Sequence, residues 1–294
     1  MAYRWKPSDA SATAFLRRVA DEQIGKALAS LQSEEMPREA AVHDVRKRLK
    51  KLRGLVRLVR PAFPDYAAEN VAFRDAARVL APLRDSAAVL ESYGRVVALD
   101  TLDGRRTLGL RRHLEEARDA AREHPEADGR IDECRLRLNA ARERAGAWLL
   151  TEDGWPALSP GLQLSYERGR EAMKAARKSR DGDDLHEWRK RAKYHWYHAR
   201  LLEPVWPEVM APHIAAASRL SDLLGDRHDL DVMATQIASA GLGEEQEALL
   251  REAMEGEARR LDGKALALGA RLFAEKPAPL AKRWGKWWRL AQAS

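Results

Sequence analysis

The sequence has a single cysteine, Cys134, so an internal disulfide is impossible and a structural metal site built from several thiolates is excluded. It has no apolar run of roughly 18 residues, the length that a membrane-spanning helix needs. The N-terminal letters MAYRWKP lack the apolar segment of a secretory signal. We therefore expect a cytoplasmic protein that makes no contact with a membrane.

Several catalytic signatures are also missing from the sequence. It contains no phosphate-binding Walker A sequence, no glycine fingerprint of a dinucleotide site, and no recognisable serine or cysteine nucleophile motif. Runs of β-branched residues are scarce, whereas Ala, Leu, Arg and Glu recur with helical periodicity. The fold class predicted from this pattern is all-α.

What the sequence does contain is a repeat. The letters HDVRKRLKK, which begin at His43, return as HEWRKRAK from His186, and we call the step from His43 to His186 the repeat offset. It is close to half of the chain, and it persists beyond the basic run, because PAFP from Pro61 matches PVWP from Pro204 at the same offset. An internal duplication is the simplest interpretation, and it predicts two pseudo-symmetric antiparallel helical bundles.

Each copy of the repeat predicts a helix with a polar and an apolar stripe on opposite faces. The apolar stripe of the first helix includes Val45, Leu49 and Leu52. The polar stripes are basic, and on this spacing they consist of His43, Arg46, Lys47, Lys50, Arg53 and Arg57 in the first copy and His186, Arg189, Lys190, Lys193, Tyr197 and Arg200 in the second.

A solvated charged face is the ordinary fate of Lys and Arg on a helix. Two features favour a binding function instead. Each stripe carries cations with little acidic relief, since Asp44 and Glu187 lie off its centre, and the arrangement occurs twice. The chain has 52 Lys and Arg against 45 Asp and Glu, a net charge of +7, so an acidic partner fits.

Proline and glycine predict where the helices break. We expect a break at Ala81-Pro82, a boundary between the halves within 154–161, a helix near 161–180, and a further break at Gly225. The C-terminal tryptophans, Trp284, Trp287 and Trp288, have helical spacing and are expected to pack against the bundle.

The repeated His-x-x-Arg-Lys-x-x-Lys pattern, the Pro-x-aromatic-Pro exits, Arg84-Asp85 and the letters HDLDV from His228 resemble the CHAD family (conserved histidine α-helical domain). The resemblance implies a compact helical fold whose basic surface binds inorganic polyphosphate, in some members at polyphosphate granules. It implies one CHAD domain over 8–291, with repeats at 8–152 and 159–291.

Carried over by position, the resemblance assigns binding to the two basic helices and to a later element. That element supplies Arg84 in the first half and either Arg227 or His228 in the second, where the register stays open. It departs from the family pattern twice, since Ala87 replaces an Asp and His228 stands where Arg is expected. Arg168, which follows Tyr166, is a further candidate.

Two other functions compete with non-catalytic polyphosphate binding. The His43-Asp44 and His228-Asp229 doublets are found in metal-dependent phosphohydrolases, but such sites need further converging ligands. Nucleic-acid binding uses the same phosphate contacts, although no recognition module or aromatic stacking platform stands out. We expect no catalysis, no cofactor and no bound metal, and the sequence leaves the oligomeric state open.

Overall fold

The structure is a computed structural model that describes residues 3–83, 90, 93–94, 108–122, 125–237 and 240–293. Within these residues it is all-α and contains no strand. Its helices are α1 (Ala12–Gln32), α2 (Arg38–Leu58), α3 (Tyr66–Val79), α4 (Leu108–Arg122), α5 (Ala127–Ala147), α6 (Gly154–Ser179), α7 (Gly182–Leu201), α8 (Pro207–Ile237), α9 (Glu244–Leu272) and α10 (Pro277–Ala293).

In the first half, α1 packs against α2 and α5, and α3 closes the bundle against the same two helices. In the second half, α7 packs between α6 and α8, while α9 lies against α8 and α10 against α6. Each basic helix is followed by a short 3₁₀ turn, Arg60–Ala62 or Glu203–Val205, and these turns are also one repeat offset apart. This matching order supports the predicted duplication.

The halves share their interior. The apolar stripe of α2, including Val45, Leu49 and Leu52, is buried in one continuous core with Trp188 and Leu202 of the second half. A smaller core joins α4 to the end of α8 and the start of α9. The halves therefore form one packed body, and their predicted boundaries at 152 and 159 stay predictions.

The helix predicted near 161–180 begins earlier than expected, because residues 154–161 form the start of α6. The boundary between the halves at this point stays a prediction. Pro156 lies in the first turn, where a backbone N–H has no helical partner to lose. Gly161 then lets α6 approach the end of α2, since a Cβ there would lie 1.9 Å from the carbonyl oxygen of Leu58. The segment at 154–161 is therefore helical, and it packs closely against the end of α2.

The predicted break at Gly225 is wrong, because α8 continues through it. A helical glycine costs only about 1 kcal/mol relative to alanine, and the buried residues Leu220, Leu224 and Leu230 hold the helix on both sides. Near Pro82, α3 ends at Val79 in agreement with the predicted break. Residues 84–89, which include the first-half element at Arg84, lie outside the described residues.

The tryptophan prediction is confirmed, because all three side chains pack in or against the main core. Trp284 and Trp288 of α10 are buried in the main core, and Trp287 is half-buried. The N-terminal segment packs on the same side, where Trp5 lies 4.1 Å from Trp288 between ring centroids. Aromatic packing therefore fixes both ends of the chain to the bundle.

Candidate functional site

The first basic helix, α2, carries its cations on the face opposite the core. His43, Lys47 and Lys50 are exposed, while Arg46 is half-buried and donates from Nη1 to the carbonyl oxygen of Ala77 (3.1 Å). This bond anchors Arg46 to the end of α3, so its guanidinium is held in place before any ligand arrives.

Further along α2, two arginines converge on one amide. Arg53 donates from Nε to Oδ1 of Asn70 (3.3 Å), and Arg57 donates to the same oxygen from Nη1 (2.5 Å). Arg57 also donates to the carbonyl oxygen of Arg53 (3.1 Å). A neutral side chain on α3 therefore orients both guanidinium groups without neutralising their charge.

The second basic helix, α7, is more enclosed. Arg189 lies against α8 at Gly225, where a Cβ would come within 3.4 Å of Nη2. The Nζ of Lys193 lies 4.3 Å from the centroid of the Trp196 ring, and the guanidinium of Arg200 lies 5.3 Å from the same ring. Burial lowers the pKa of Lys193, with Asp222 opposing the shift and Arg189 and Arg200 adding to it.

Each basic helix has one carboxylate that binds two cations. Asp44 pairs with Lys47 (2.8 Å) and Arg48 (3.0 Å), and Glu187, its equivalent in the second copy, pairs with Lys190 (3.3 Å) and Arg191 (2.5 Å). Burial alone would raise the pKa of Asp44, but hydrogen bonds from Arg48, Lys47 and Ser30 hold it at about 2. More of the positive charge on the two basic helices is therefore paired with carboxylates than the spacing of the polar stripes predicted.

The basic helices cross where equivalent positions of the repeat meet. A Cβ on Gly54 would lie 3.0 Å from Cβ of Tyr197, and these two residues are separated by the repeat offset. Beside them, Nε2 of His198 donates to the carbonyl oxygen of Gly54 (2.9 Å), since that oxygen can only accept. Contact between equivalent positions is what a local two-fold axis produces, so it supports the predicted pseudo-symmetry.

Two residue pairs beside the crossing are also related by the repeat offset. The Arg57 guanidinium lies 4.2 Å from the Tyr194 ring centroid. The equivalent pair is Lys51 with Arg200, and the charge of Arg200 helps to lower the pKa of Lys51, after burial and Arg48, to about 8. The two basic helices therefore approach each other closely enough to share one electrostatic field.

Beside the crossing lies a cleft with walls from both halves, which we call the arginine cleft. Its free volume is about 10 Å³, enough for about one water molecule. A phosphate group would therefore meet the half-buried guanidinium groups at its mouth. The lining residues are Arg57, Arg60, Leu164, Ser165, Arg168, Arg191 and Tyr194.

The arginine cleft concentrates positive charge. Burial lowers the pKa of Arg168, and Arg60 and Arg191 lower it further. The pKa of Arg57 is lowered by burial, and also by Arg53 and Arg191, against the opposing effect of Tyr194 and Tyr66. Cations that repel one another in this way are stabilised by an anion, so the cleft suits a negatively charged ligand.

A histidine pair borders the second basic helix. The rings of His186 and His228 lie 4.2 Å apart between centroids. Burial, the His228 charge and the neighbouring Lys190 and Arg189 lower the pKa of His186 to about 4. Burial and Arg189 also lower the pKa of His228, against the carboxylates of Asp229 and Asp231.

Arg227 and His228, the two candidates for the second-half element, have different surroundings. Arg227 is only 13% exposed, and it pairs with Asp231 and with Asp262 (3.3 Å). His228 instead faces the basic helix through His186. Position favours Arg227 as the equivalent of Arg84, because the repeat offset separates the two, whereas the contacts favour His228 as the residue available to a ligand.

One predicted ligand-binding residue is in the core. Tyr197 is 1% exposed and packs edge-on to Tyr3, with ring centroids 5.9 Å apart, so its assignment to the exposed stripe is wrong. The helical spacing was correct, but the crossing covers that part of α7. Sequence reasoning also missed Arg60, Arg191 and Tyr194, although the position of Arg60 beside the repeated PAFP exit was a usable signal.

His195 lies in the core, since its side chain is 1% exposed. Its Nε2 lies 2.8 Å from Nε2 of His213, so one ring donates and the other accepts. In the described residues, no group of three or more His, Cys, Asp or Glu side chains is placed to hold a metal ion. Over the same residues, no helix combines the length and apolarity that crossing a bilayer requires.

Comparison with known proteins identifies the family. The model of the CHAD domain matches residues 11–238, which is more than half of the chain. The chain belongs to the CHAD family. No curated protein matches it.

The CHAD fold extends beyond the matched residues. The crystal structure of the CHAD domain from the plant Ricinus communis superposes with a TM-score of 0.64 at 16% sequence identity. The superposition covers 93% of this chain and 95% of the plant chain. At that identity the likeness establishes a shared fold, which includes helices C-terminal to residue 238.

Proposed function

We propose that this CHAD domain binds inorganic polyphosphate without catalysing its breakdown. The observation that carries the proposal is the crossing of α2 and α7 beside the arginine cleft, which joins cations from both halves into one surface. A ligand that spans this surface must carry many negative charges along a flexible chain. Polyphosphate, which the family resemblance implies, has that chemistry.

The cations of this surface suit phosphate oxygens. Arginine donates to two oxygens at once in a fixed plane, while lysine acts as a mobile point charge. Arg46 and Arg57 are already oriented by Ala77 and Asn70, so binding costs them little conformational entropy. Lys50 and Lys193 lie one on each basic helix, at equivalent positions of the repeat.

Nucleic acid is the main competing ligand. Contacts to phosphate alone carry no sequence information, and single-stranded nucleic acids add base stacking on exposed aromatic rings. On α7, Trp196 is half-buried and already packed under Lys193 and Arg200. Its faces are therefore engaged, which favours a ligand without bases.

A competition assay tests the choice of ligand. Labelled long-chain polyphosphate is bound at fixed salt and displaced with unlabelled polyphosphate, duplex DNA, single-stranded DNA or orthophosphate. We expect polyphosphate to displace the label at the lowest concentration. Equal or better displacement by either DNA would overturn the proposal. Release of phosphate in the same mixture would contradict the non-catalytic part.

Charge reversal tests the location of the site. We expect Lys50→Glu with Lys193→Glu to weaken polyphosphate binding by at least about tenfold, because two charge-assisted contacts are replaced by repulsion. The control is Lys26→Glu with Lys264→Glu, which likewise reverses one lysine in each half, at exposed positions of α1 and α9. Circular dichroism verifies folding. Equal losses in both double variants would place binding elsewhere.

A further inference from the structure

The C-terminal helix presents a second cationic face. The sequence of α10 contains no Asp or Glu, and its side chains Lys282, Lys286 and Arg289 are exposed. These three form no ion pair with any described residue. Arg283, roughly a quarter turn around the helix from them, is neutralised by Glu275 (2.5 Å). Three cations at i, i+4 and i+7 therefore point into solvent from one helix.

Large apolar side chains border these cations. Trp206, which precedes α8, is 45% exposed and meets Trp287 of α10 edge-on, with centroids 5.2 Å apart. Leu290, one turn beyond Trp287, is 68% exposed, and Val209 lies one turn beyond Trp206 at 37%. The α10 patch, as we call it, consists of Trp206, Val209, Lys282, Lys286, Trp287, Arg289 and Leu290.

We propose that the α10 patch docks on the surface of an anionic lipid bilayer. Lysine and arginine are drawn to acidic headgroups, and tryptophan favours the boundary between headgroups and acyl chains. An exposed leucine can enter that boundary as well. The combination of unpaired cations with the exposed Trp206 and Leu290 is the observation that selects a lipid surface over a bare polyanion, which offers nothing apolar to either side chain.

This inference goes beyond polyphosphate binding and does not depend on it. It also departs from the expectation of no membrane contact. That expectation came from the lack of a long apolar run, which bears on spanning the bilayer and not on lying against its surface. Electrostatic attraction to acidic headgroups and insertion of apolar side chains are each weak, and together they attach a protein reversibly to a membrane surface.

The test is flotation of the full chain with vesicles. One set is made of phosphatidylcholine alone and the other of equal parts phosphatidylcholine and phosphatidylglycerol. We expect flotation with the anionic vesicles only, weakening as salt is raised. Flotation with both sets equally, or with neither, would overturn the proposal, and in the second case an acidic protein partner would become the occupant.

Matched variants locate the contact. Lys282→Glu with Lys286→Glu should reduce partition to anionic vesicles by at least about tenfold. Lys174→Glu with Lys178→Glu, also an exposed i, i+4 pair, should not. The control is remote: Gly285 contacts Trp155 at the start of α6, and Lys178 lies roughly 34 Å further along that helix at 1.5 Å per residue.

A second pair of variants tests the apolar part of the α10 patch. Leu290→Ser should weaken partition several-fold, whereas Leu136→Ser, at 70% exposure on α5, should leave it unchanged. All four variants should bind polyphosphate like the native chain. Loss of vesicle binding in Lys50→Glu with Lys193→Glu, with none in Lys282→Glu with Lys286→Glu, would assign the lipid contact to the polyphosphate surface and overturn the proposal.

Discussion

The two basic helices have nearly the same letters and different surroundings. On α2, His43 is exposed and Arg46 bonds to a backbone carbonyl of its own half. On α7, His186 is half-buried against His228, and Arg189 lies over Gly225. One copy of the motif is therefore open to solvent, and the other is enclosed by α8.

The difference changes the electrostatics of the same residues. Burial and neighbouring cations lower the pKa of His186 to about 4 and also lower that of Lys193. The enclosed copy thus holds its charges at a cost that an anion would relieve. We infer that α7 gains more from a bound polyanion than α2 does, although the two copies share the surface.

The largest expected effect comes from forcing α6 away from the end of α2. Gly161→Val would place a Cβ against the carbonyl oxygen of Leu58, a backbone atom that cannot rotate away. We expect a loss of at least about 3 kcal/mol in the free energy of unfolding, together with loss of polyphosphate binding. Denaturant titration monitored by circular dichroism measures the first, and the binding assay measures the second.

Gly25→Ala is the control for the loss of a helical glycine. The nearest atom to a Cβ there is Nη2 of Arg142 at 4.0 Å. Alanine should raise stability by up to about 1 kcal/mol, because it restricts the unfolded chain and favours the helix. Similar destabilisation by both substitutions would show that the join between the halves has no special packing requirement.

The next effect is acid destabilisation centred on the second half. Burial lowers the pKa of His198 and of His213 to about 4, and it also holds the pKa of His195 well below its ordinary value. The unfolded chain therefore takes up these protons near pH 6.5, before the folded chain does. Stability should fall as the pH drops from 6.5 towards 4, by about 1.4 kcal/mol per pH unit for each histidine at most.

Hydrogen exchange measures where that loss occurs. Between pH 7 and pH 5, after correction for intrinsic rates, protection should fall more in α7 and α8 than in α1 and α3. The buried His195 and His198 lie on α7 and the half-buried His213 lies on α8, while α1 and α3 contain no histidine. An equal loss of protection in both halves would show that the two halves unfold together, and it would contradict the expected difference between them.

The smallest effect concerns binding. A polyanion beside His186 should raise its pKa from about 4, so binding takes up a proton and polyphosphate affinity rises as the pH falls from 7 to 5. His186→Asn should flatten this dependence more than His43→Asn, because His43 is exposed. Binding titrations at fixed salt measure how polyphosphate affinity changes with pH in each variant. An equal pH dependence in the two variants would contradict a special effect of the enclosed position of His186.

The sequence predicted the fold class and both basic helices because helical periodicity and the repeat are local signals. It placed Val45 and Leu49 in the core and Lys47 and Lys50 at the surface. The two helix boundaries at 154–161 and Gly225 were predicted wrongly because tertiary packing outweighs the low helix propensity of glycine. At Gly161 the helix packs against the backbone of Leu58, and around Gly225 buried leucines hold the helix on both sides.

The site was predicted less completely than the fold. Tyr197 had the correct spacing for the polar stripe, but a helix from the other half covers it. Arg60 and Arg191 enter the arginine cleft only because the halves pack together. Spacing along one helix cannot show which part of its surface a helix from the other half of the chain will cover.

The contact of Gly54 with Tyr197 has an evolutionary consequence under the duplication hypothesis. In a symmetric dimer of single repeats, a residue on the axis meets its own copy, so two glycines would leave a gap and two tyrosines would collide. Fusion into one chain lets the paired positions differ. The lone tyrosine then fills the space that its glycine equivalent vacates, so covalent linkage permits a tighter junction than self-association allows.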